Sequence, residues 1–292
     1  MNRSFTLACL LLFAALLAAP RAAHAGQSYG NCTGFVTSVP ATISTQGTWC
    51  LKADLATAIT SGAAITIATN NVTLDCNDFK IGGLAAGVGT QAYGVYATNR
   101  FNATVRRCNI RGFYVGINFS ASSASGSGGH LIENNRFDGN TYQSINVRGD
   151  GSMVRNNRAF DTGGSTVTGS AAGIYTINDV DVLDNAVDGV VATSGSNGSA
   201  YGIESDSNIN NSVNGNRVRG VIGDGTGVAY AIYNNSSARM ALRENDVLGN
   251  AAAGSIGLRC VDANASAKDN TINGFATAIS LCSDDGGNAV IP

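Results

Sequence analysis

The sequence predicts an all-β fold, a parallel β-helix in which short strands coil into a solenoid, and three observations lead there. An asparagine recurs about once per 22 to 31 residues. Five copies read Asn-x-(Phe/Val/Ile)-x-Gly, starting at Asn135, Asn185, Asn216, Asn245 and Asn270; Asn157 opens a degenerate copy, and Asn77 and Cys108-Asn109 open two earlier ones. Each copy is partnered downstream by a small residue followed by Val or Ile: Gly94-Val95, Gly116-Ile117, Ser144-Ile145, Gly173-Ile174, Gly202-Ile203, Ala231-Ile232, Ser255-Ile256 and Ala278-Ile279. Before each asparagine, apolar and polar residues alternate with the period of a strand buried on one side. A repeat of this length with two strand signals is one turn of a solenoid.

Taken in order along the chain, residues 1–25 read as a cleavable leader. Arg3 precedes an apolar run from Leu7 to Ala19, and Ala23-His24-Ala25 offers a small-x-small cleavage site. The run is too short to span a bilayer, and no later stretch is apolar enough to do so. A mature chain of 292 − 25 = 267 residues suffices for one continuous solenoid. Loss of Arg3 and Arg21 leaves 16 basic against 20 acidic residues, a net charge of −4. That balance argues against nucleic acid and anionic lipid as partners.

Residues 26–63 are expected to cap the solenoid. There Leu51, Leu55, Ala58 and Ile59 share one face of a predicted short helix, and Trp49 is expected to pack. Residues 64–292 then form the β-helix, with about eight rungs. Aligned on the asparagine, an inward column reads Leu74, Val105, Ile132, Val154, Val182, Val213, Leu242 and Ala267. Its outward neighbours read Asp75, Arg106, Glu133, Arg155, Leu183, Asn214, Arg243 and Lys268, the first four alternating in sign. Asparagine suits the bend between strands because it tolerates left-handed angles, and stacked amides can bond from rung to rung.

Six cysteines remain after the leader, an even number that suits disulfides in an exported chain. Fifteen connectivities are possible. The neighbouring pairs Cys32–Cys50, Cys76–Cys108 and Cys260–Cys282 are favoured, the latter two being about one repeat apart. Stacked rungs lie ~4.8 Å apart, within reach of a bridge. Cys108, in place of Asn109, can occupy the asparagine slot.

The asparagine ladder, the Asn-x-Φ-x-Gly strands and the entry Val72-Thr73-Leu74-Asp75-Cys76-Asn77 resemble the right-handed parallel β-helix proteins of the pectate-lyase-like superfold. The resemblance covers residues ~64–290 and implies the right-handed coil, in line with the handedness of parallel crossovers. It implies no particular reaction. Of the polygalacturonase-like motifs only Asp284-Asp285 has a counterpart; Gly129-His130 is followed by Leu131, and no proline is placed for a pectate-lyase arginine segment.

Candidate chemistry sits on the strand carrying the small-Val/Ile motif. Its outward column reads Tyr96, Asn118, Asn146, Tyr175, Glu204, Tyr233, Gly257 and Ser280. Two residues on, the same face reads Thr98, Ser120, Arg148, Ile177, Asp206, Asn235, Arg259 and Cys282. Tyr175, Glu204 and Tyr233 thus fall on consecutive rungs with Asp206 beside them, and Arg148 and Arg259 two rungs to either side, ~10 Å away. Three long loops, 162–172, 190–201 and 221–230, flank those rungs, which makes a walled groove. Aromatic rings and carboxylates suit a polysaccharide or other glycan. Tyr175, Tyr233, Asn146, Arg148, Asn235 and Arg259 would bind it, and Glu204 and Asp206 are the acid–base pair if the groove is catalytic.

No metal or cofactor is called for. His130 falls in an inward column and reads as a hydrogen-bonded, partly buried histidine, with a general base as the alternative. Asp179-x-Asp181-x-x-Asp184 and Asp284-Asp285 match no calcium-loop spacing and read as solvated turn carboxylates. The expected function is therefore a secreted or periplasmic β-helix that binds carbohydrate along one face. The alternatives are a polysaccharide hydrolase, lyase or epimerase using Glu204 and Asp206, and a purely structural or adhesive solenoid. Oligomeric state is open at this stage.

Overall fold

The computed structural model describes residues 29–123, 126–206, 211–237 and 239–291. The leader expected over residues 1–25 lies outside them. Residues from Cys32 onward form one compact unit. Of the preceding segment only residues 29–31 are described.

Within the compact unit the chain winds as a right-handed parallel β-helix of three sheets, with eleven, ten and ten strands among the described residues. Each turn lays one strand in sheet 1, bends at the asparagine, lays a strand in sheet 2, passes through a loop and lays a strand in sheet 3. In one turn these are Val72–Asp75, Lys80–Gly82 and Tyr93–Thr98. All pairings are between successive turns and parallel, so every strand except those at the two ends of each sheet is hydrogen-bonded from above and below.

The expected inward column holds in register: Leu74, Val105, Ile132, Val154, Val182, Val213, Leu242 and Ala267 are successive partners in sheet 1. Each has 0% of its surface exposed. The outward column also holds its register, although Asp75 is buried at 3% exposure, and the expected ion pairs form at its start. Arg106 Nε lies 2.9 Å from Asp75 Oδ2, and Arg155 Nη2 lies 2.8 Å from Glu133 Oε2.

Asparagines at the bend form an unbroken ladder from Asn135 through Asn157, Asn185, Asn216, Asn245 and Asn270 to Asn288. In each rung the backbone N–H and the side-chain amide both donate to the Oδ1 of the next asparagine, for instance from Asn185 to Asn216 at 2.9 and 3.0 Å. The same amide donates to a carbonyl of the rung below, Asn185 Nδ2 to Val154 O at 2.9 Å. Asn288 is a rung the repeat pattern did not mark. Cys108 does take the ladder slot, its N–H donating to Asn135 Oδ1. The left-handed residue, however, is usually the one before the ladder asparagine: Asn134, Asn156, Asp184, Glu244 and Asp269 all have φ near +55°. The ladder asparagines are spared for bonding, and short polar neighbours absorb most of the bend.

In sheet 3 a column of small residues faces inward beside the Val/Ile column. A Cβ on Gly173 would stand 2.5 Å from Val187 Cγ1 and 2.7 Å from the Gly202 carbonyl oxygen. Only the smallest residues fit where sheets 2 and 3 converge.

The helix expected over Leu51, Leu55, Ala58 and Ile59 is not formed, and the β-helix starts well before residue 64, at Gly34. Leu51 ends a sheet 1 strand, Gly47–Leu51, and Leu55 opens a sheet 2 strand that pairs with Ile81. A chain turning the corner between two sheets returns an apolar residue to the core every four or five positions, the spacing of a helix face. Trp49 packs partly buried against the core, its indole N–H donating to Thr45 O at 3.1 Å.

All three favoured disulfides form: Cys32–Cys50, Cys76–Cys108 and Cys260–Cys282. His130 is 1% exposed, edge-on to Phe119. The Ala103 N–H donates to its Nδ1, so Nε2 carries the proton and donates to Ser127 Oγ, which donates to Arg100 O. Burial lowers its pKa to about 4 and keeps it neutral.

Two outcomes test this account. Asn185→Ala should cost ~3 kcal/mol, because it strands buried donors and acceptors on both sides; urea unfolding would measure it, and Asn134→Gly should be nearly neutral by comparison. Replacing Cys76 and Cys108 by Ser releases a loop of sequence separation 32 and should lower stability by about 3–4 kcal/mol in the same assay.

Candidate functional site

The outer face of sheet 3 brings most of the predicted residues together. Asn146, Tyr175, Glu204 and Tyr233 are consecutive register partners. Arg148, Ile177 and Asp206 run beside them in the next outward column. Asn235 follows, its N–H donating to Ser205 O and its Oδ1 accepting from the Tyr233 hydroxyl at 3.0 Å. Asn146 donates to Gln143 Oε1, and Arg148 Nη1 to Ala121 O.

Arg259 is elsewhere than expected. It pairs with Tyr233, in the Glu204 column, whereas the sequence alignment had put Gly257 there and Arg259 beside Asp206. The motif small-Val/Ile/Leu occurs twice in Ser255-Ile256-Gly257-Leu258. The structure uses the second copy, with Leu258 fully buried opposite Ile232. A shift of two residues keeps every side chain on its own face, so period-two alternation could not choose between them. Arg259 Nη1 donates to Ser280 Oγ at 2.6 Å.

The sequence reading missed a third outward column, which carries Tyr201 and Tyr230 as direct partners. Gly202 and Ile203 both face inward, so Tyr201 and Glu204 are both outside although three residues apart. Simple alternation places Tyr201 inside. The signal was present as Tyr-small-Φ-Tyr in Tyr93–Tyr96 and Tyr230–Tyr233, pairs whose rings stack at 5.2 and 4.9 Å. Tyr201 lies parallel to Tyr230 at 5.2 Å and within 17° of Tyr233 at 5.8 Å. Three rings thus make one continuous platform beside Glu204. Tyr142, stacked on Tyr114 at 4.9 Å, belongs to the same neighbourhood, since the Glu204 charge acts on it.

The flanking loops are shorter than expected. Strands Arg158–Gly163, Ala186–Val191 and Arg217–Ile222 take up part of the added length as sheet 2. What remains, 164–170, 192–199 and 223–228, stacks from rung to rung. Thr193 N–H donates to Gly169 O at 2.8 Å and Asp224 N–H to Gly198 O at 2.9 Å. These loops lead into the strand ends bearing Tyr201 and Tyr230, so they border the platform on that side.

Burial, then the neighbouring Asp206 charge, pushes Glu204 from its ordinary 4.5 up to about 7. Tyr175 rises to about 12, from burial and from Asp206 and Glu204. The face therefore presents a carboxyl that is protonated below neutral pH, a second carboxyl two residues along the strand, and tyrosine hydroxyls kept neutral around them. It can donate and accept hydrogen bonds to a polyhydroxylated ligand and offer it flat apolar surface.

No protein-family model matches this chain, and no curated protein matches it. Among solved structures it is similar to PfbA, a surface adhesin of Streptococcus pneumoniae, with TM-score 0.51, 12% identity and coverage of 88% of this chain and 78% of that one. It also matches the A-module of the Azotobacter vinelandii mannuronan C-5 epimerase AlgE6, with TM-score 0.48, 13% identity and 88% of both chains covered. A third match is the tailspike protein 2 domain of bacteriophage CBA120, with TM-score 0.44, 14% identity and coverage of 84% of this chain and 43% of that one. The adhesin likeness agrees with the fold described above.

The raised Glu204 pKa has a signed consequence. A carboxyl whose pKa is higher folded than unfolded stabilises the fold fully below its unfolded value, and that contribution is lost as pH rises through the folded one. Glu204→Gln should therefore leave Tm unchanged near pH 4 and raise it relative to wild type as pH increases from about 4.5 to 7, with no further gain above. Thermal melts across that range would show it.

Proposed function

We propose that the outer face of sheet 3 is a carbohydrate-binding site of an exported protein, secreted or periplasmic. The tyrosine platform of Tyr201, Tyr230 and Tyr233 beside a half-buried Glu204 carries this reading. Sugar rings present flat C–H faces and a rim of hydroxyls. Stacked tyrosines cover the former without orphaning the latter, and Asn146, Asn235, Arg148, Arg259 and the carboxyls supply partners for the rim. Three disulfides accord with an oxidising compartment.

A second reading, catalysis at the same place, is favoured by one observation: Glu204 titrates at about 7 with Asp206 close by. Positions two apart on a strand set the two carboxyls ~6.5–7 Å apart at the backbone. That allows a protonated Glu204 to donate to a leaving glycosidic oxygen while Asp206 acts as base or nucleophile.

Replacing Tyr201 and Tyr233 together by Ala should weaken binding of a retained glycan about tenfold with little change in Tm, since both rings lie outside the core; glycan arrays followed by calorimetry test this. Unchanged affinity, or no glycan retained by wild type, overturns the binding reading. For the catalytic reading, release of new reducing ends that Glu204→Gln abolishes and that declines above pH 7 is the expected result.

A further inference from the structure

A second face of the solenoid has a charge pattern that the sheet 3 site leaves unexplained. In sheet 2, outward residues line up as Lys80, Asn109, Arg136, Arg158, Ala186 and Arg217 in one column. The adjacent column carries Arg111, Asp138, Phe160, Asp188 and Arg219. The low overall charge conceals this concentration, which appears only when the rungs are stacked.

Most of these cations are matched. Lys80 pairs with Asp54 at 3.0 Å, Arg111 with Asp138 at 3.1 Å, and Arg217 and Arg219 share Asp246. Arg136 and Arg158 are not: they are direct partners on adjacent strands, both exposed, and among the described residues neither joins an ion pair. Like charges placed directly opposite one another in a sheet repel. The Arg136 guanidinium lies over the Phe160 ring at 5.5 Å, which steadies it without neutralising it.

The surface there is also concave. A depression of about 300 Å³ holds Arg136 and Arg158 together with the exposed Asn134 and Asn156. It continues on one side into a depression of about 410 Å³ around Lys80 and Arg111, which Asp54, Asp78 and Asp138 also line, and on the other into one of about 340 Å³ around Phe160, Asp188, Arg217 and Arg219.

We infer that this sheet 2 face is a binding track for a polysaccharide bearing carboxylates, with Arg136 and Arg158 gripping its acidic groups. Each guanidinium offers a planar fork that a carboxylate matches, and the pair stands ~4.8 Å apart, so one acidic group bridges both or two successive groups take one each. Asn134 and Asn156 meet sugar hydroxyls, and half-buried Phe160 meets a ring face. The anion density selects the ligand class. Cations alternate here with Asp54, Asp78, Asp138, Asp188 and Asp246, so the uncompensated charge among the described residues is confined to Arg136 and Arg158, a spacing that suits a polymer with one charge per sugar. A nucleic-acid duplex carries one charge per ~1.7 Å and would be repelled by the carboxylates.

The test uses polygalacturonate, neutral dextran and duplex DNA as probes, with calorimetry at low and high salt. Wild type should bind polygalacturonate, more weakly at high salt as screening requires, and should not bind dextran at this face. Arg136→Gln with Arg158→Gln should weaken polygalacturonate binding at least tenfold, with Tm equal to or above wild type because the repulsion is gone. Asp188→Asn should tighten it. Arg136→Gln with Arg158→Gln should weaken it at least tenfold in the Tyr201→Ala, Tyr233→Ala background too, which separates this track from the sheet 3 site. The inference is overturned if wild type does not bind polygalacturonate, if the arginine substitutions leave binding unchanged in the wild-type or in the tyrosine-variant background, or if DNA binds as tightly per charge.

Discussion

The structure depends on hydrogen bonding between successive turns of the chain. No turn can satisfy its own backbone, because its three short strands point in different directions and pair only with the turns above and below. The asparagine ladder applies the same rule to the corner between sheets 1 and 2, where strand pairing is interrupted. From Asn135 to Asn270, each side chain ties its own turn to the one after and the one before, and Asn288 closes the series. Buried amides of this kind are costly unless fully bonded, so they also fix the register in which the turns stack.

That register gives the outer faces their chemistry. A side chain on one turn is brought within ~4.8 Å of its counterpart on the next, whatever the sequence distance between them. Tyr201, Tyr230 and Tyr233 become one surface in this way, and Arg136 and Arg158 become neighbours. The inward column of small residues in sheet 3 adds a second effect. Because Gly202 and Ile203 both turn to the core, the residues on either side, Tyr201 and Glu204, both emerge on the outer face. A steric requirement of the interior thus shapes the candidate site.

Charged groups fare differently according to their partners. Asp75 is buried, which alone would disfavour its charge, yet bonds from Arg107 and the Asn77 N–H and the nearby Arg106 hold its pKa below the usual range. Among the described residues Glu204 has no comparable cationic partner; burial and Asp206 push it up to about 7. His130, buried without a charge partner, is pushed down to about 4. Among the described residues Glu204 thus differs from Asp75 and His130, whose bonds are accounted for within the fold.

The sequence alone determined the solenoid and its inward columns, and it favoured the disulfide pairs and an inward His130. Each follows from a repeat that must stack on itself, and stacking leaves few choices of what faces in. It also located Glu204, Asp206, Tyr175 and Tyr233 on one face. It misread the corner at Leu51 and Leu55 as a helix, since turning between sheets and turning around a helix return apolar residues at the same interval. The place of Arg259, the outward turn of Tyr201 and Tyr230 and the unpaired neighbours Arg136 and Arg158 were decided by the tertiary structure. These depend on a two-residue register choice, a local break in alternation and the match of partners across turns, and only packing against the core and the neighbouring turn sets them.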